Sequence, residues 1–184
     1  MMRGAVWPVL VVGSALSMPA RTEVIEATVS GFSVRQMVQM AAPPERVYAA
    51  LVNVGSWWSA DHTYSGSAAN LRFEAKAGGC WCETLPNAGE VRHMTVVQVV
   101  PNKRIVLEGA LGPLQSSGVA GAMTWQLKPQ NGGTEFALVY NVGGYAPGGL
   151  VELAGGVDGV LRAQVDRLKR LIETGKPTEP AKPG

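Results

Sequence analysis

The sequence predicts an α+β fold in which a curved antiparallel sheet of about six to seven strands carries short N-terminal helices and one long C-terminal helix packed across it. Three observations carry that expectation. A short helix opened by Pro43-Pro44 follows directly on a first apolar strand. The chain from Leu71 to Asn141 then reads as strands separated by short turns, and the stretch from Leu150 to Ile172 keeps a single apolar face. A helix laid over a curved sheet leaves a space between the two, and such a space is a place to hold an apolar molecule.

In the first strand Phe32, Val34, Val38 and Met40 alternate with Ser33, Arg35 and Gln39, which is the pattern of one wet and one dry face. Proline in the first turn of a helix costs no hydrogen bond, so Pro43-Pro44 ends the strand and opens a helix. Val47, Tyr48, Leu51 and Val52 then recur at helical spacing until Gly55 breaks it. Six strands follow, over 71–73, 80–83, 91–100, 104–111, 119–128 and 134–141. Turn residues separate them: Gly78-Gly79, Pro86 to Gly89, Pro101-Asn102, Gly112-Pro113 and Gln130 to Gly133. Sequential strands joined this way form an antiparallel meander. The segment from Asn141 to Gly149 reads as the loop into the last helix, where Leu150, Leu153, Ala154, Val157, Leu161, Val165, Leu168 and Ile172 share a face over roughly 37 Å. Gly155, Gly156 and Gly159 weaken its first half by about 1 kcal/mol each relative to alanine. Close packing on the sheet is the expected compensation, with a ligand portal or hinge as the alternative.

With 184 residues, 46% hydrophobic and 16% charged, the chain fits one domain with a substantial core. Its 16 basic and 14 acidic residues are scattered, so no basic stripe exists to meet a phosphate backbone and nucleic acid is not an expected partner. Residues 1–20 read as a signal peptide: Arg3 is the charged lead, Ala5 to Leu16 the apolar run, and Ala15-Leu16-Ser17 or Ala20 the cleavage region. The run is shorter than the roughly twenty residues that span a bilayer, so the expectation is a periplasmic or secreted protein with no permanent membrane span. The folded domain is expected over 28–174. The stretch 175–184, with three prolines and no large apolar side chain, reads as a disordered tail.

Ala42-Pro43-Pro44-Glu45-Arg46-Val47-Tyr48, the pair Trp57-Trp58, the strand pattern and the Val157 to Ile172 helix together resemble the SRPBCC superfamily. This is the helix-grip fold of START lipid-transfer domains, birch-pollen-type allergens, polyketide cyclases and the activator of the large heat-shock ATPase. The resemblance spans about Val29 to Thr174 and implies the fold and a cavity. Members share a fold far more than a reaction, and the matching segments are scaffold, so no catalytic residue is carried over.

Candidate site residues are those that break a pattern. Trp57, Trp58, His62 and Tyr64 fall with Asp61 in one ten-residue stretch behind the short helix. As plain structure, one tryptophan plugs the core and the other caps it; as a pocket wall, indole offers a large apolar surface and one donor. In Cys80-Trp81-Cys82-Glu83 the cysteines share one strand face while Trp81 and Glu83 take the other, and the following turn returns the strand of His93 alongside. The cysteines suit a disulfide in an oxidising compartment or redox-labile thiols, although alpha carbons two apart on an extended strand sit about 6.5–7 Å apart, at the edge of disulfide reach. Zinc or copper held with His93 and His62 is the weaker alternative, because the spacing lacks the usual two-residue gap; no metal and no cofactor is expected. Glu83 and His93 form the candidate acid-base pair. Met94, Met123, Trp125 and Tyr140 complete the candidate ligand-binding wall together with Trp81, and Tyr145 is a candidate gate in the loop before the last helix.

The leading expectation is an exported protein that binds a small hydrophobic or lipid-like molecule between sheet and helix. A polyketide cyclase or dehydratase-like enzyme using Glu83 and His93 is the alternative. A co-chaperone-like protein-interaction module comes third, since its partner would be cytosolic.

Overall fold

The computed structural model of the chain describes residues 21–178. The expected signal peptide over 1–20 and the last six residues of the expected tail, 179–184, lie outside the described residues. Eight strands form one antiparallel sheet: β1 (Arg21–Thr28), β2 (Gly31–Met40), β3 (Leu71–Phe73), β4 (Cys80–Thr84), β5 (Glu90–Val100), β6 (Arg104–Glu108), β7 (Gly118–Gln130) and β8 (Gly133–Tyr145). Their order across the sheet is β1-β2-β8-β7-β6-β5-β4-β3, so β3 to β8 form the expected meander and β2 adds to its last strand. Helix α1 (Pro44–Val52) follows β2, and α2 (Val151–Thr174) closes the chain.

The fold class stands as expected, with one strand more at the edge. β1 begins ahead of the expected domain start because Arg21–Thr28 pairs antiparallel with Gly31–Met37 of β2. Its mixed sequence RTEVIEAT leaves Val24 and Ile25 exposed, so it lacks the buried apolar face that marks a strand in sequence.

β2 alternates without a break, and Val34 and Met40 are fully buried. In α1 Pro44 takes the first helical position, and Val47 and Leu51 face the core. α2 buries Ala154, Leu161, Val165, Leu168 and Ile172 and ends at Gly175, whose φ of 79° supplies the left-handed cap. Arg46 donates to the Ile172 carbonyl at 2.8 Å, and Lys169 Nζ to the Gln39 carbonyl at 2.6 Å, tying the C-terminal half of α2 to α1 and β2.

β8 runs on to Tyr145, four residues beyond the expected strand end. Gly143 and Gly144 continue the ladder, pairing with Ala120 and Val119, and Gly144 adopts a φ of 132° where a Cβ would run into the Gly118 carbonyl. Here glycine extends a pairing that larger residues would block, whereas in sequence it signals a turn.

Candidate functional site

β5 departs from regular pairing where the candidate residues lie. Trp81 pairs with Met94 and Cys82 with Arg92, which leaves His93 as the extra residue of a β-bulge. A bulge re-aims the side chain it inserts, and both His93 and its neighbour Met94 are buried as a result. Gly109 permits the kink: at φ 146°, a Cβ there would lie 2.8 Å from the His93 carbonyl oxygen.

His93 Nε2 lies 2.9 Å from Oε2 of Glu83, a carboxylate with no solvent exposure. Glu83 also accepts hydrogen bonds from the backbone N–H of Tyr64, at 3.1 Å, and of Ser65. Burial alone would raise the Glu83 pKa, but the Ser65 side chain and N–H, the Tyr64 N–H and His93 outweigh it and hold the carboxyl below its ordinary value. Burial lowers the pKa of His93 against the opposing pull of Glu83. With Glu83 ionised and the ring neutral, Nε2 carries the proton and donates it to the carboxylate. Nδ1 then bears a lone pair and has no hydrogen-bond partner in the described protein.

The Tyr64 ring stacks on His93 with centroids 5.9 Å apart. Its hydroxyl donates to the Gly112 carbonyl at 2.8 Å, so the 57–66 segment and the loop after β6 meet over the imidazole. α2 holds the same segment from the other side. Ser59 N–H donates to the buried Gln164 Oε1 at 2.8 Å, and Arg167 Nε donates to the Trp57 carbonyl at 2.7 Å.

These three elements enclose a cavity of about 550 Å³. Trp58, Asp61, His62 and Tyr64 form one wall, Leu111 to Leu114 a second, and Leu153, Gly156, Val157, Val160 and Leu161 of α2 the third, with His93 between them. A second, more open hollow of about 890 Å³ runs across the ends of β5 to β8, with Gly109, Ala110, Ala120, Gly121 and Ala122 among its lining residues, and His93 borders it too. The first is the better ligand site because a helix and two loops bound it and its wall is mainly apolar.

The α2 glycines differ from expectation. A Cβ at Gly155, Gly156 or Gly159 would meet nothing within 4 Å, so close packing on the sheet does not explain them. Gly156 lines the cavity instead, and open space stands where side chains would otherwise fill it.

Of the sequence candidates, the structure brings Trp58, His62, Tyr64 and His93 to the cavity, with Glu83 directly behind His93. Trp57, Trp81, Trp125, Met123 and Tyr140 are packed in the core and do not line it. Trp57 Nε1 donates to the Leu51 carbonyl, Trp125 Nε1 to the Met123 sulfur, and Tyr140 Oη to the Gly109 carbonyl. Burial pushes the Tyr140 hydroxyl up to about 12, so it is a structural group. Met94 borders only the open hollow. Tyr145, 72% exposed on the end of β8, stands clear of the cavity wall and is no gate to it.

Cys80 and Cys82 are paired as a disulfide, with alpha carbons 5.4 Å apart. The strand is contracted beside the His93 bulge, which brings the pair within reach where a fully extended strand would hold it at the limit. Among the described residues no group of three or more His, Cys, Asp or Glu side chains converges to hold a metal.

The sequence reading missed the Leu111 to Leu114 wall and the cavity face of α2. Val157 and Leu161 were legible as apolar helix positions, but nothing local distinguishes a residue facing the sheet from one facing a void.

A sheet gripped by a terminal helix, with a ligand-sized cavity between helix and loops, defines an SRPBCC module of the ligand-binding kind. Residues 31–173 match the family described as polyketide cyclase / dehydrase and lipid transport, and the chain belongs to that family. No curated protein matches the chain. Among solved structures, it is similar to a conserved protein of unknown function from Enterococcus faecalis, at 14% identity and a TM-score of 0.58, covering 90% of this chain and 82% of that one. A protein from Chromobacterium violaceum aligns at 19% identity and TM-score 0.54, covering 77% and 96%. One from Rhizobium loti aligns at 24% identity and TM-score 0.53, covering 74% and 92%. At these identities the likeness concerns the fold.

Proposed function

We propose that the protein is an exported carrier or receptor for a small hydrophobic molecule, held between the N-terminal half of α2, the 57–64 segment and the 111–114 loop. The observation that carries this reading is the 550 Å³ cavity with Gly156 in its wall. A side chain there would improve the helix and meet no clash, yet the position is left open. Export is supported by the apolar run of Ala5 to Leu16 and by the Cys80 to Cys82 pairing, which persists in oxidising compartments. Among the described residues no helix is long and apolar enough to cross a membrane.

Uptake of diphenylhexatriene, an uncharged probe that fluoresces in apolar surroundings, tests the reading. The wild-type protein should take it up with about one site, and Gly156→Leu should abolish uptake without unfolding the protein. Equal uptake by both would refute the site. Sequencing the mature N-terminus after expression in a bacterium with an export pathway tests localisation, and an intact Met1 would count against export.

The Glu83 and His93 pair favours a second reading, an enzyme of the cyclase or dehydratase kind. His93 Nδ1 would accept a proton from a substrate in the cavity while Glu83 stabilises the imidazolium that forms. Turnover unchanged in both Glu83→Gln and His93→Ala would eliminate this reading.

A further inference from the structure

We propose that the ligand of this cavity is an uncharged apolar molecule carrying a hydroxyl group, which donates its hydrogen to His93 Nδ1, and that carboxylate amphiphiles are rejected. The inference rests on the container reading above and names the polar end of its ligand. Two observations carry it. His93 is 6% exposed, borders the cavity, and has its Nε2 committed to Glu83, so its remaining nitrogen offers an acceptor and no donor. No bond to Nδ1 is made by the described protein, so the nitrogen is left to whatever stands beside the ring, and a ligand hydroxyl there would complete it.

The second observation is the sign of charge around the space. No lysine or arginine lines the cavity, whereas Asp61 and Glu152 do, and the buried Glu83 lies behind His93. Arg167, the cation that approaches the 57–58 segment, is engaged by the Trp57 and Trp58 carbonyl oxygens. Glu152 stands in the first turn of α2, so its carboxylate already answers the partial positive charge of that helix end. An anionic head group would thus face carboxylates in a mainly apolar space, with no lysine or arginine to receive it and only the exposed His62 imidazole at the wall as a donor.

Decanol and decanoate, identical in chain length, separate these possibilities by calorimetric titration of the intact protein above neutral pH, with diphenylhexatriene uptake in parallel. Decanol should bind at least about tenfold more tightly than decanoate, a ratio within the worth of one buried hydrogen bond. His93→Phe keeps a ring and removes the acceptor, and should erase most of the decanol preference. Because that variant leaves Glu83 without its partner, the double variant Glu83→Gln/His93→Phe serves where the single one does not fold. Asp61→Asn/Glu152→Gln, both at exposed positions, should raise decanoate affinity and so narrow the ratio between decanol and decanoate. Decanoate binding as tightly as decanol, or decanol affinity unaltered by loss of the imidazole, would overturn the inference while diphenylhexatriene still enters. Failure of all three probes to bind would overturn the container reading and this inference with it.

Discussion

His93 is the unpaired residue of a bulge in β5, and that extra residue sets its Nε2 2.9 Å from the Glu83 carboxylate on β4. The two are ten positions apart in sequence; the short turn between β4 and β5 brings their strands alongside, and the bulge lies where the imidazole meets the carboxylate. Their contact lies under Tyr64 and beside a cavity, which gives the pair consequences for both stability and binding.

The pair makes the protein acid-sensitive in a defined order. His93 has a lower pKa folded than unfolded, so the unfolded chain takes up that proton first and folded stability falls as pH drops through about 6.5. Glu83 is lowered as well, so a second loss begins as pH falls through about 4.3 and continues to its folded value. Stability is therefore fullest above neutrality with respect to both groups. Thermal melts should show Tm declining between about pH 7 and 5, and the Glu83→Gln/His93→Phe variant should lack that decline. A wild-type Tm that is flat over this interval would contradict a neutral buried imidazole.

The α2 glycines separate stability from binding. Gly155→Ala and Gly159→Ala have open space for the added methyl and should each stabilise the protein by about 0.5–1 kcal/mol, read as a shift in the urea midpoint. Neither should change ligand uptake. Gly156→Leu should also hold or raise the midpoint while uptake is lost. If all three behave alike in the uptake assay, Gly156 has no special place in the cavity.

Tryptophan fluorescence should divide the aromatic residues. Trp58 borders the cavity, whereas Trp57, Trp81 and Trp125 pack against one another or against it in the core. Trp58→Phe should remove most of the emission change on ligand addition, at a cost of about 1–3 kcal/mol for the smaller ring and the lost bond to the His62 carbonyl. Trp125→Ala should cost about 3–5 kcal/mol, and Tyr145→Ala, at an exposed position, should stay within about 0.5 kcal/mol of wild type. A ligand response that survives Trp58→Phe intact would place the bound molecule elsewhere.

Reduction provides a check on β4. The ring closed by Cys80 and Cys82 is short, so its entropic contribution is about 1–2 kcal/mol. Alkylation of the native protein should leave its intact mass unchanged, and reduction should expose two thiols with a modest fall in Tm. Two alkylated cysteines without reduction would show that the pair is free.

Tethering of the 57–66 segment is expected to depend on Arg167. Its guanidinium holds the Trp57 carbonyl at 2.7 Å, and Arg167→Met should cost about 1.5–3 kcal/mol as a lost charge-assisted bond. Hydrogen exchange should then quicken at Ser59 and neighbouring amides. Unchanged exchange there would mean that Gln164 holds the segment by itself.

The order of strands and helices was legible in the amino-acid sequence because it rests on local rules. Alternation in β2, proline at the start of α1, the turn residues between meander strands and the apolar face of α2 each act over a few residues. The proximity of Glu83 and His93 was legible for the same reason, since a short turn returns β5 beside β4. Tertiary structure decided the rest. Periodicity shows which residues share a face but not whether a neighbour fills the space in front of them, so Trp125 and Trp58 looked alike although one is core and the other cavity wall. β1 carries no apolar face of its own and becomes a strand by pairing with β2; the glycines of β8 extend a ladder where they suggested a loop. The three glycines of α2 could mean close packing or open space; none meets a neighbour, and only the placement of the helix over the 57–64 and 111–114 segments puts Gly156 alone of them in the cavity wall.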